Sequence, residues 1–169
     1  MIQSVNYFLS LLTVFGQILV LFLAFSYFFN PKRLGFFRDN YLISVFIVAL
    51  AATLGSLFYS EIAGYEPCKL CWFQRIFMYP QVFILGLALY KKDRAVASYS
   101  LLLSAVGAVI AVYHYLLQLD IAPSFPCSAV GYSVACSKVF VMNLGYITIP
   151  LMAFSAFVLL IILALINKK

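Results

Sequence analysis

Long apolar runs broken by short polar clusters organise this chain. Five runs, at about residues 5–29, 41–60, 72–90, 96–119 and 146–166, approach or exceed the length of about 20 residues that carries a helix across a bilayer core. The runs are continuously apolar rather than alternating, which argues against the strands of a barrel. Helices satisfy their own backbone groups in lipid, so they are the natural spanning form. The pattern predicts an all-α integral membrane protein with five transmembrane helices. No repeat or long linker divides the chain, so residues 1–169 read as one membrane domain.

Composition agrees. The 169 residues are 66% hydrophobic and 9% charged, against about 45–50% and about 25% in soluble domains. A soluble domain of this size could not bury that much apolar surface. The net charge of +6 gives no reason to invoke nucleic acid, because the basic residues cluster at helix ends. Lys32, Arg33 and Arg38 follow the first run, Lys91, Lys92 and Arg94 follow the third, and Lys168 and Lys169 follow the fifth. The positive-inside rule makes that side the cytoplasm. The first run lacks a basic stretch before it and a small-residue cleavage site after it, so it is expected to be a retained helix with its N-terminus outside.

This topology places all four cysteines outside. Cys68 and Cys71 fall in the 61–70 loop and at the start of the third helix; Cys127 and Cys136 fall in the 120–145 loop. In an oxidising compartment two disulfides are the default expectation. Loop bracing alone would account for the pair Cys127 and Cys136. It accounts poorly for Cys68 and Cys71, because so short a loop removes little chain entropy. C-x-x-C suits a redox switch, in which one thiolate attacks and the other resolves. Zinc binding by four thiolates is the other use of such spacing; the separate loops and oxidising compartment argue against it, and no metal is expected. A structural disulfide lies below about −300 mV and a strongly oxidising thiol protein near about −120 mV, a gap of about 8 kcal/mol for two electrons. A bracing disulfide therefore cannot oxidise such a partner.

Ionisable groups inside the bilayer mark functional sites by default. Arg75 lies one turn deeper than Cys71 on the same helix face, and the helix N-terminus is expected to favour a thiolate at Cys71. The bland alternative for Arg75 is snorkelling to the interface. His114, the only histidine, lies late in the fourth run with Gln118 at i+4 on the same face, near the level of Arg75. Its alternative is an ordinary helix–helix hydrogen bond. Pro80 is expected to kink the third helix.

The segment Cys68-Lys69-Leu70-Cys71-Trp72-Phe73-Gln74-Arg75, followed by Met78-Tyr79-Pro80, resembles the disulfide bond formation protein B family, the quinone-reducing oxidases of the bacterial disulfide pathway. His114-Tyr115-Leu116-Leu117-Gln118-Leu119, leading to Pro126-Cys127, is a second similarity. The resemblance runs from about Tyr41 to the C-terminus and implies a four-helix transmembrane bundle, leaving the helix at 5–29 as an additional N-terminal one. It implies that Cys127 forms a mixed disulfide with a soluble thioredoxin-like thiol oxidase and that Cys136 is its pair. Cys68 would exchange with that pair and Cys71 would face a quinone, either ubiquinone or menaquinone. Arg75, His114 and Gln118 would belong to the quinone site, in the cytoplasmic (inner) membrane of a bacterium. Eight residues separate Cys127 from Cys136, fewer than in the best-known members. Alternatives left open are a quinone-linked reductase resembling the vitamin K epoxide reductase group, an outward-directed membrane reductase, and a non-enzymatic protein with two structural disulfides.

Overall fold

A computed structural model describes residues 2–122 and 136–168. Helix α1 spans Ile2–Phe29. A 3-10 turn, Pro31–Leu34, and a short helix α2, Gly35–Asp39, lead into α3, Tyr41–Leu57, which widens into a π turn over Phe58–Ile62. Helices α4, Lys69–Lys91, α5, Val96–Gln118, and α6, Ile149–Lys168, follow. Among the described residues five helices are long and apolar enough to cross a membrane: α1, α3 with its π turn, α4, α5 and α6. No named strand occurs among these residues; the one bridge joins Asn143 and Ile147.

Two boundaries differ from the hydropathy pattern, each for a local reason. Helix α4 begins at Lys69, not near 72, because Cys68 is extended and its sulfur accepts the Cys71 N–H at 3.4 Å. That is the geometry of an N-cap. Helix α6 begins at Ile149, not at 146. Leu144 and Gly145 are left-handed, with φ of 53° and 76°, and the N–H groups of Tyr146 and Ile147 turn back to the Asn143 carbonyl. A right-handed helix cannot run through such residues. Pro150 then falls in the first turn, where its missing N–H costs nothing. Helix α4 continues through Pro80.

Helices α3 to α6 form the bundle: α5 packs along α6 and α4, and α3 lies against α4 and α6. Helix α1 stands outside and leans on α6. The buried face of α5 carries Ser100, Ser104, Gly107, Ala111 and His114, a three-and-four spacing that sets one stripe toward the interior. Small side chains there let neighbouring helices approach closely. The ring of Phe157, fully buried, fills the space a Cβ on Gly107 would need. Gly107→Leu should therefore cost at least about 1–3 kcal/mol by overpacking. Gly35→Leu, where an added Cβ meets nothing, is the control. Thermal unfolding in detergent should show a lower Tm for the first variant only; equal Tm values would refute this packing.

At one end of the bundle Arg94 donates to the Asp39 carbonyl at 3.0 Å, and Asn167 donates to the Arg94 carbonyl at 3.5 Å. The three basic segments read from the sequence thus gather at one end. The start of α4, with both of its cysteines, lies at the other.

Candidate functional site at the cysteine end of the bundle

Cys68 and Cys71 are free thiols whose sulfurs lie 3.1 Å apart. Cys136 is disulfide-bonded; Cys127 lies outside the described residues. Cys68 is buried and shares a small apolar cluster with Leu70, Leu117 and Cys136, against which Cys71 packs.

His114 sits at the centre of this cluster because it extends the buried stripe of α5. Its Nε2 lies 3.1 Å from the Cys136 carbonyl oxygen and 3.6 Å from the Cys68 sulfur. A carbonyl can only accept, so Nε2 carries the proton of a neutral ring. Nδ1 is then the acceptor for the Gln74 amide at 3.0 Å. Gln74 is buried on the α4 face that also carries Leu70 and Met78. The Nε2–H therefore faces both the Cys136 backbone and the Cys68 sulfur. Cys68, Cys71 and His114 bring three potential metal-ligand atoms within 4.8 Å of one another. A metal would have to displace the Nε2 proton from its bond to the carbonyl.

The cap position also shifts the electrostatics expected from the sequence. The helix N-terminus was expected to favour a thiolate at Cys71, but Cys68 occupies the cap and receives the backbone N–H. Its thiol is held well below the ordinary range, first by the hydrogen bond from the Cys71 side chain. Burial opposes this, and the hydrogen bond from His114 adds to the lowering. A stabilised thiolate favours the reduced pair and so makes its disulfide a stronger oxidant. Because the pKa is lowered, this stabilisation is complete above the ordinary thiol pKa and is lost as pH falls through the lowered value. His114→Ala should move the Cys68 titration upward, toward the ordinary thiol value. Ultraviolet thiolate absorbance of the reduced protein against pH reads this directly; an unmoved midpoint would show that His114 does not act on Cys68.

Arg75 is one residue around the helix from Gln74 and so points elsewhere, toward α3. Its Nε donates to Ser56 Oγ at 3.1 Å and an Nη donates to the Ser56 carbonyl at 3.2 Å. The Tyr79 hydroxyl donates to the same Ser56 Oγ at 3.0 Å. The guanidinium also lies over the rings of Trp72 and Tyr79, 5.2 Å and 5.7 Å from their centroids. It is thus held against α3 rather than stretched to the interface. The remainder of its donor fork has no hydrogen-bond acceptor among the described residues.

These groups edge a cavity of about 390 Å³, a volume typical of small-molecule sites. Ser56, Glu66, Cys71, Gln74, Arg75 and Tyr79 line its cysteine end, and mostly apolar side chains of α1, α3 and α6 line the rest. His114 and Gln118 instead line a separate cleft of about 20 Å³ with Cys68 and Lys138. Gln118 donates to the Lys138 carbonyl at 3.2 Å, tying α5 to the segment after Cys136. Cys71 lines both spaces. The structure thus brings Arg75 to the large cavity, and His114 and Gln118 to the side of Cys136. Sequence reasoning missed Gln74, Ser56 and Tyr79. Only Gln74 carried a signal: a polar residue at i+3 from Cys71, between two apolar positions of one helix face.

A membrane-embedded dithiol set between an apolar cavity and a disulfide-bearing segment defines a class, the multi-pass thiol–disulfide oxidoreductases. The chain belongs to one such family, disulfide bond formation protein DsbB, whose sequence model matches residues 38–167. The probable disulfide formation protein C 1 of Bacillus anthracis is 44% identical over 132 residues, covering 78% of this chain and 94% of its own. Disulfide bond formation protein C of Bacillus subtilis is 44% identical over 135 residues, with the same coverages. A probable disulfide formation protein of Metapseudomonas resinovorans is 40% identical over 142 residues, covering 83% and 96%. No solved structure matches. The function is therefore membrane disulfide bond formation in a bacterium, carried out by a disulfide oxidoreductase. Helix α1 lies outside the family match.

Proposed function

We propose that this protein re-oxidises a soluble thioredoxin-like thiol oxidase outside the cytoplasmic membrane and passes the electrons to a membrane quinone. The observation that carries the reading is the position of Cys71, which borders the apolar cavity on one side and the Cys68–His114–Cys136 cluster on the other. In this scheme the partner's two thiols attack the loop disulfide in turn, through a mixed disulfide at Cys127, and leave as a disulfide. The loop then carries two thiols, which reduce a Cys68–Cys71 disulfide and regain their own. Two electrons and two protons move at each exchange. The shared buried cluster supports direct exchange between Cys68 and Cys136.

The residues around the cavity fit a quinone. The free donors of Arg75 lie at the cysteine end, where Glu66 also lines the cavity, and the remaining walls are mostly apolar, with Thr13 and Ser155 among them. A quinone, when bound, supplies a lipid-soluble acceptor for two electrons and two protons. Arg75 would hold a ring oxygen and oppose negative charge growing there. His114 would hold Cys68 as a thiolate and fix the Cys136 backbone beside it. Gln74 would keep the His114 proton on Nε2.

Reduced purified protein supplied with quinone, without oxygen, tests the reading. Its disulfides should return with one quinol formed for each. Failure of quinone to restore them would leave the reductase alternative if exchange between the pairs is intact, and the bracing alternative if it is not.

A further inference from the structure

We infer that α1 forms the wall of the quinone site against which the isoprenoid tail lies, with Gly16 kept small to leave the tail room. This rests on the quinone reading above and adds a subsite to it from a helix outside the family match. Three observations carry it. First, Leu9, Leu12, Thr13, Phe15, Gly16 and Leu19 of α1 line the cavity, so its apolar part is bounded by α1 together with α3 and α6. Second, a Cβ added to Gly16 would meet no atom within 4 Å, so this wall position borders open space. Third, α1 is fastened, not merely resting in lipid. Gln17 donates to Ser155 Oγ of α6 at 3.1 Å and accepts from the Tyr146 hydroxyl at 3.2 Å. Asn143 donates to Ser10 Oγ at 2.7 Å and to the Asn6 carbonyl at 3.2 Å.

The cavity's polarity selects the occupant. Its charged groups, Glu66 and Arg75, stand at the Cys71 end, and its α1 side offers apolar side chains apart from Thr13, whose hydroxyl donates to the Leu9 carbonyl. A ligand with a polar ring and an apolar tail matches that gradient when its ring sits at the cysteines. Lipid tails are as apolar as the wall, so burial alone gives the tail no preference for this site. Fit must supply the preference, and filling the space should remove it.

Gly16→Phe in the full-length chain tests this, with two acceptors: a quinone bearing an isoprenoid tail and one with the same ring and no tail. The expected result is a KM raised roughly 5- to 150-fold for the tailed quinone, the range that overpacking penalties span, and unchanged for the tail-less one. Leu21→Phe, on an exposed part of α1, should change neither. Gly16→Leu should give the same split more weakly, which guards against a folding defect in the larger variant. Equal loss with both acceptors would overturn the tail assignment and place the wall at the ring. No loss with either would show that ordinary lipid or detergent chains fill this space. Wild-type protein that reduces neither acceptor would remove the quinone reading, and this inference with it.

Discussion

Cys127→Ser abolishes oxidation of the soluble thiol partner yet leaves reduced Cys68 and Cys71 able to be re-oxidised by quinone. The expectation follows from a relay of two pairs, since thiol–disulfide exchange needs a disulfide sulfur for the incoming thiolate to attack. Without Cys127 the loop offers the partner none. Cys68 and Cys71 keep their own contacts, 3.1 Å from one another and 3.6 Å from Cys68 to His114. The second electron transfer therefore stands without the first. Cys136→Ser supplied with quinone should instead accumulate the partner covalently on Cys127: the Cys127 thiol opens the re-oxidised Cys68–Cys71 disulfide to give Cys68–Cys127, and a partner thiol then displaces the Cys68 thiol from Cys127. Non-reducing electrophoresis of the variants with the partner, beside quinone-dependent thiol loss in the variants alone, checks both. A covalent complex formed through Cys68 would reverse the proposed order.

Arg75→Met is expected to lower kcat/KM for quinone roughly 10- to 150-fold, mainly through KM, with exchange between the cysteine pairs preserved. The magnitude is that of one charge-assisted hydrogen bond, about 1.5–3 kcal/mol. The geometry explains why the loss should be specific. Ser56 holds the guanidinium through Nε and one Nη, so the free part of the fork borders the cavity in a fixed position. Arg75→Lys should recover only part of the rate, because an ammonium lacks the planar fork. Snorkelling alone would leave kcat/KM unchanged in Arg75→Met. Steady-state rates at varied quinone distinguish the two.

Much of the scaffold was legible because a bilayer demands long apolar helices. All five spans follow from that demand, and the basic segments at one end follow from their helix termini. The boundaries at Lys69 and Ile149 depended on a thiol cap and a left-handed turn, which hydropathy does not register. The site was legible in height but not in direction. Arg75, His114 and Gln118 were correctly read as lying near the level of the cysteines. Periodicity alone did not reveal that Gln74 and Arg75, adjacent in sequence, serve different neighbours: one bonds His114 on α5 and the other Ser56 on α3. The partner of each depends on how helices pack. The same holds for α1, whose place beside α6 and the cavity is set by Gln17, Ser10 and residues more than a hundred positions away.

The central claim is that electrons enter at the loop cysteines and leave to a quinone past Cys71. Proteoliposomes containing the full chain, a quinone and a reduced thioredoxin-like partner test it most directly. Partner disulfide and quinol should form in equal amounts, at a rate that Cys71→Ser abolishes. Partner disulfide formed without quinol, or quinol oxidised while partner disulfide is reduced, would contradict the account.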